Sequence, residues 1–202
     1  MPATPYSIIF ARHGETRFNA ENRLQGQRDI PLSPRGRDQA SAVGRSVRAR
    51  IRGEIDRLEA GRAFVSSPLV RARETKALAR AAMGLAPDRY RVEPALKELS
   101  FGVWEGLTWE EIREHDPRGL KARSADKWDF TPPGGESYAT LADRARPWLQ
   151  SLSADAFVVS HGGVARAFLT ILAGVAPAFA VETPITQGRA ILFEKGGWRW
   201  IG

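Results

Sequence analysis

The chain has 202 residues, 43% hydrophobic and 26% charged, which supplies one sizeable core and excludes whole-chain disorder. Cysteine is absent, so disulfide staples, cysteine nucleophiles and thiolate zinc sites are excluded. The net charge of +7 comes from 30 basic and 23 acidic residues, but the basic residues are mostly Arg scattered along the chain, which disfavours a dedicated nucleic-acid surface.

Residues 1–5 carry neither a basic nor a long apolar leader pattern, and a reducing cytoplasmic setting is the expectation. Tyr6 to Ala11 is a short apolar run that predicts a buried strand, ending at Arg12-His13-Gly14-Glu15. Ser33-Pro34 opens a helix, with Ser as cap and Pro in the first turn. Ala40, Val43, Val47 and Ile51 then recur at helical spacing. Ala63 to Ser67 predicts a second strand, followed by a helix from about Val70 to Met83 that Gly84 and Pro87 stop. Arg91 to Glu93 is a weaker third strand, and Pro94 to Gly106 reads as an irregular loop.

Thr108 to His115 predicts a short helix stopped by Asp116-Pro117. Residues 117–136 form the least regular stretch, and about 100–136 is expected as a small lid or insertion in a single domain spanning 1–202. Ser137 caps the next helix, to about Leu152, and Ala156 to Ser160 is an apolar strand before His161-Gly162-Gly163. The apolar stretch Val164 to Val181 contains Arg166, Gly174 and Pro177, and reads as a buried helix with its exit loop, not as a membrane span. A closing hairpin over Ala190–Glu194 and Trp198–Ile201 is expected at Lys195-Gly196-Gly197. Strands alternating with helices predict an α/β sandwich around a mainly parallel sheet.

Ligands of such sheets sit at the carboxyl ends of the strands. Three predicted strands end in chemically capable residues: Arg12-His13, Ser66-Ser67 followed by Arg71, and Ser160-His161. Two of the three histidines, His13 and His161, occupy the same context, past an apolar strand and before Gly. His115, at the end of a polar helix, is expected to face water. Neither His13 nor His161 has the neighbours of a zinc motif, so no metal site is expected. The Gly-x-Ser-x-Gly elbow and the Walker loop are both missing. Two imidazoles with at least two guanidinium groups remain. Arg presents a planar fork to phosphate oxygens, and neutral imidazole is a nucleophile at phosphorus near pH 7. Those residues point to phosphoryl chemistry through a phosphohistidine.

The sequence resembles the histidine phosphatase superfamily, the phosphoglycerate mutase-like family with the Arg-His-Gly motif. The resemblance is carried by Arg12-His13-Gly14-Glu15-Thr16, Asn19, Asn22 to Gly26, Pro31 to Gly36, Ser66 to Ala72, Leu96 to Gly102, Pro133 to Ser137 and Ser160 to Gly163, in order along most of the chain. It implies a three-layer α/β/α sandwich with a mainly parallel, mixed central sheet, and a cofactor-free hydrolase of small phosphomonoesters.

By the same resemblance His13 is the nucleophile, and Arg12, Arg71 and His161 bind the phosphoryl oxygens. Asn19 is a further polar contact, and Glu98 protonates the leaving oxygen and then activates water. Gln25, Gly26, Gly162 and the Glu136-Ser137 loop lie near the substrate, and Phe18, Trp104, Trp128 and Tyr138 are candidates for its walls. Arg73 is set apart, because it cannot share a helix face with Arg71. The family also includes phosphoglycerate mutases. The interval between Glu98 and His161 is short for those, which favours a phosphatase over a mutase or a non-catalytic basic binding protein on the same fold. No membrane partner is implied, and no motif specifies an oligomeric state.

Overall fold

The computed structural model describes residues 4–51 and 64–201. Among them, β1 (Ile8–Arg12), β2 (Phe64–Ser66), β3 (Arg91–Val92), β4 (Ala156–Ser160), β5 (Ala190–Glu194) and β6 (Gly197–Ile201) form one sheet in the order β3-β2-β4-β1-β5-β6. β3, β2, β4 and β1 run parallel, β5 is antiparallel to β1, and β6 closes a hairpin on β5. The sheet is therefore mixed and mainly parallel, as expected. The expected first residue of β2, Ala63, lies outside the described residues.

Alternation along β1 sorts its side chains to two faces. Ile8 and Phe10 join a core with α6 (Tyr138–Gln150) and α7 (Gly162–Ala173), through Leu141, Leu149, Phe168 and Leu169. Ile9 and Ala11 join a second core with α2 (Pro34–Arg50) and α3 (Val70–Ala82), through Val43, Val47, Ala72 and Ala79. Helices thus cover both faces of the sheet. The opening of α2 follows the sequence reading: Ser33 Oγ accepts the Gly36 N–H at 3.1 Å, and Pro34 fills the first turn.

Four expectations need correction. Residues 117–136 are not irregular throughout, because α5 (Pro117–Ala125) follows α4 (Trp109–His115) directly. Asp116-Pro117 ends α4 and also starts α5: the Asp116 side chain accepts the Gly119 N–H at 2.8 Å, and Pro117 occupies the first turn. Between Pro94 and Gly106 the chain makes two single 3-10 turns, Pro94–Leu96 and Gly102–Trp104. The exit from α7 contains α8 (Pro177–Ala180). Lastly, α1 (Arg17–Ala20) was not anticipated; it is a single turn closed by a reciprocal cap between Thr16 and Asn19. Among the described residues no helix is long and apolar enough to cross a membrane.

Candidate active site

The register of three parallel strands brings their ends to one edge. Arg12 lies opposite Ser160 across β1 and β4. The His13 N–H donates to the Ser160 carbonyl at 2.9 Å, and the Ser67 N–H donates to the Val159 carbonyl at 3.0 Å. Residues 12–13, 67 and 161 therefore meet at the carboxyl ends of adjacent strands, as the topology requires. Arg12 and His13 line a cavity of about 270 Å³ at this edge, with Arg71, Glu98 and Gly162.

His13 is buried, with Nδ1 2.7 Å from the Gly14 carbonyl. A carbonyl can only accept, so Nδ1 carries the hydrogen and Nε2 keeps its lone pair. Arg71 Nε–H donates to that Nε2 at 3.2 Å. The turn beyond the strand is fixed by α3, where Thr75 Oγ1 accepts the Gly14 N–H at 3.0 Å. The His161 ring lies 5.2 Å from that of His13, and its Nε2 meets Ser67 Oγ at 2.7 Å. Burial first, then the Arg71 charge, hold both imidazoles well below the usual histidine range, so both are neutral at pH 7.

Arg71 is held rigidly: Nη1 donates to the Arg28 carbonyl at 2.7 Å and Nη2 to the Gly26 carbonyl at 2.8 Å. Burial pulls its pKa down to about 10, against the opposing pull of Glu98, and it remains a cation at neutral pH. Arg12 donates from Nη1 to the Ile185 carbonyl at 2.9 Å. Two buried nitrogens at this edge, Arg12 Nε and His161 Nδ1, have no partner among the described residues. An unsatisfied buried polar group costs free energy comparable to a lost hydrogen bond, and an oxyanion placed here would recover it.

Glu98 is seated on backbone amides. Its Oε1 accepts the Leu99 N–H at 2.8 Å and the Gly163 N–H, at the start of α7, at 3.0 Å. A Cβ on Gly163 would stand 2.3 Å from that oxygen, so the seat needs glycine for close approach. The loop carrying Glu98 is clamped from behind. Arg144 on α6 donates to the Ala95 and Lys97 carbonyls at 2.6 and 3.2 Å and pairs with Glu136 at 3.1 Å, while Glu136 accepts the Ser100 N–H. Glu136 and Ser137 were expected near the substrate. Glu136 instead holds this loop, and Ser137 caps α6.

The remaining expected residues fall out as follows. Asn19, Gln25, Gly26 and Gly162 all line the cavity. Asn19 commits Oδ1 to Thr16 and Gln187, which leaves its amide Nδ2 as the donor it can offer. Gln25 Oε1 accepts the Thr16 hydroxyl at 2.9 Å. Gly26 has φ +50°, and a Cβ there would collide with Glu105 Oε1. His115 is exposed, as expected, and Arg73 is exposed while Arg71 is buried, so the two do not share a face. Of the four aromatics, Tyr138 lines the cavity and Trp128 stacks behind it. Phe18 and Trp104 are buried away from it, Trp104 against Phe130.

Sequence reasoning assigned no site role to seven lining residues, Arg23, Leu24, Phe101, Trp109, Arg123, Arg166 and Val181. Arg166 had a signal, because it lies four residues after Gly162 and so on the same helix face. Arg123 had none, because it stands on the helix that was not foreseen. Among the described residues no group of three or more His, Asp or Glu is placed to hold a metal ion.

The family model described as the histidine phosphatase superfamily (branch 1) matches residues 8–201. The chain belongs to that superfamily. It is 37% identical over 166 residues to a metal-independent phosphoserine phosphatase of Arabidopsis thaliana, covering 79% of this chain and 66% of that one. It is 33% identical over 168 residues to the Bos taurus 6-phosphofructo-2-kinase/fructose-2,6-bisphosphatase 1, covering 82% of this chain and 32% of that one. The chain therefore spans about a third of the length of such bifunctional relatives. A mycobacterial glucosyl-3-phosphoglycerate phosphatase, solved in complex with VO3, superposes with a TM-score of 0.77 at 28% identity, over 96% of this chain and 97% of that one.

Proposed function

We propose that this histidine phosphatase hydrolyses small phosphomonoesters without a metal, through a phosphohistidine at His13. One observation carries the reading. His13 lines the cavity with an Nε2 that bears no hydrogen and accepts from Arg71 Nε, and beside it two buried nitrogens, Arg12 Nε and His161 Nδ1, lack a partner among the described residues. Around that Nε2, guanidinium and imidazole groups take the charge-stabilising place that metals hold in other phosphatases.

In the first step His13 Nε2 bonds to phosphorus as the ester P–O bond breaks, and a proton on Glu98 passes to the departing oxygen. The Nδ1–H stays on the Gly14 carbonyl and supports the charge that develops on the ring. Arg12, Arg71 and His161 hold the phosphoryl oxygens, with Asn19 Nδ2 as a further donor. In the second step water bonds to phosphorus, Glu98 takes its proton, and the N–P electron pair returns to Nε2. The relatives named above differ in their leaving groups, so they support the phosphomonoester class and leave the alcohol open.

Rapid quenching of the enzyme with 32P-labelled substrate tests this. An acid-labile, alkali-stable adduct is expected on His13, with adduct and turnover both lost in His13→Ala. A His13→Ala protein that is labelled equally would move the nucleophile elsewhere, with His161 the first candidate.

A further inference from the structure

Five arginines line the cavity, and the phosphoryl nest accounts for only two of them, Arg12 and Arg71. Arg23 is neutralised by Glu111 at 2.7 Å and Glu21 at 3.3 Å. Arg123 and Arg166 are in no ion pair with any described residue. The acid whose charge both interact with, Glu182, is paired with Lys127.

Both arginines are half-buried and held in place. Arg166 Nε donates to the Thr183 carbonyl at 3.2 Å, and its Nη1 lies 3.5 Å from the Tyr138 hydroxyl. The Arg123 guanidinium sits over the Trp109 ring at 4.7 Å, and Trp109 packs edge-on to Phe101. Arg166 is the link to the nest. A Cβ on Gly162 would meet Arg166 Nη1 at 3.4 Å and Arg12 Nε at 3.8 Å, so the two guanidinium groups flank the same glycine. Arg12 and Arg123 each feel the charge of Arg166. Three cations thus run in series along one wall, from the nest to α5.

A phosphomonoester dianion answers the charges of Arg12 and Arg71. It leaves two neighbouring, partly desolvated cations unanswered, an arrangement that costs free energy until an anion joins it. Tyr138, Phe101 and Trp109 wall the space between, which suits a short carbon skeleton. We infer that Arg123 and Arg166 form a second anion subsite, and that the preferred substrates are small phosphomonoesters whose alcohol carries a carboxylate or a second phosphate. This inference rests on the phosphatase reading above.

The test compares matched substrates within one enzyme preparation, so the ratio of kcat/KM values is independent of the folded fraction. The pairs are 3-phosphoglycerate against glycerol 3-phosphate, and 1,3-propanediol bisphosphate against its monophosphate. Phosphate release is measured for wild type, Arg123→Met, Arg166→Met and Arg123→Lys. In wild type the anionic member of at least one pair should be preferred about tenfold or more, as charge-assisted contacts allow. The favoured pair tells carboxylate from phosphate. Either Met variant should shrink the preference to about threefold or less, mainly through KM, and Arg123→Lys should keep part of it. Ratios near one in wild type, or ratios unchanged in both Met variants, overturn the subsite. p-Nitrophenyl phosphate has no second anion and separates the two levels. Its hydrolysis together with flat ratios removes the subsite alone. Absence of all hydrolysis and of any adduct on His13 removes the phosphatase reading.

Discussion

Glu98 is assigned one proton and two opposite uses of it, and the leaving group decides how much the first use matters. An alkoxide is strongly basic and departs poorly without a proton, whereas a nitrophenolate leaves unaided near neutral pH. Glu98→Gln keeps an oxygen to accept the Leu99 and Gly163 N–H groups and removes only the titrating proton. Single-turnover phosphorylation should therefore fall about 10² to 10⁴ for an alkyl phosphate and far less for p-nitrophenyl phosphate. Steady-state turnover is the wrong readout, since dephosphorylation also draws on Glu98. Equal losses on the two substrates would reduce Glu98 to a positioning group and place the acid elsewhere.

At the scale of the element, α7 does more than cover the sheet, because its first turn seats that carboxylate. In Gly163→Ala the new Cβ occupies the space of Glu98 Oε1, and the acid must move. A helix with Ala in place of Gly gains up to about 1 kcal/mol of propensity, so stability and activity should part company. The thermal midpoint should hold or rise while phosphorylation by an alkyl phosphate falls. The double variant with Glu98→Gln should lose no more than Glu98→Gln alone. Additive losses would mean that residue 163 acts on something other than Glu98.

This element also shows what was legible beforehand. The strand, the Gly pair and the apolar periodicity announced α7 and placed His161, because those signals are local. The same held for β1 with Arg12 and His13, and for α3 with Arg71. The seat of Glu98 was not legible, since the acid and the amides that hold it meet only in three dimensions. Nor was the role of Glu136, which was expected at the substrate and instead braces the loop through Arg144. Asp116-Pro117 misled for a simpler reason: the pair that breaks one helix is also a good start for the next. With α5 overlooked, Arg123 had no frame on which to be placed.

At the scale of the molecule, the two neutral imidazoles tie stability to pH. Both are held well below the ordinary histidine range by burial and by Arg71, while the unfolded chain titrates them near pH 6.5. Below that value the unfolded state binds more protons than the folded state, so stability rises with pH there. The contribution is complete above about pH 6.5 and is lost as pH falls through and below it. The slope is up to about 1.4 kcal/mol per pH unit for each histidine. In phosphate-free buffer the urea midpoint of the wild type should therefore drop more steeply between pH 7 and 5.5 than that of His13→Asn or His161→Asn. Parallel profiles in all three would show that these rings exchange protons no differently on unfolding.

The strand order carries one further consequence, which concerns biosynthesis. β4 lies between β1 and β2, yet it is the last of the four parallel strands to be made. Ile8 must wait for Ala156, its partner in register, and Phe64 must wait for Phe157. Until β4 emerges from the ribosome, β1 and β2 each present an apolar edge with open backbone groups, the kind of surface that invites mispairing. The arrival of β4 fills that gap and sets His161 beside His13. The nascent chain thus closes the gap between β1 and β2 and gains its second imidazole through the same late strand, while the other edge of β1 waits for β5.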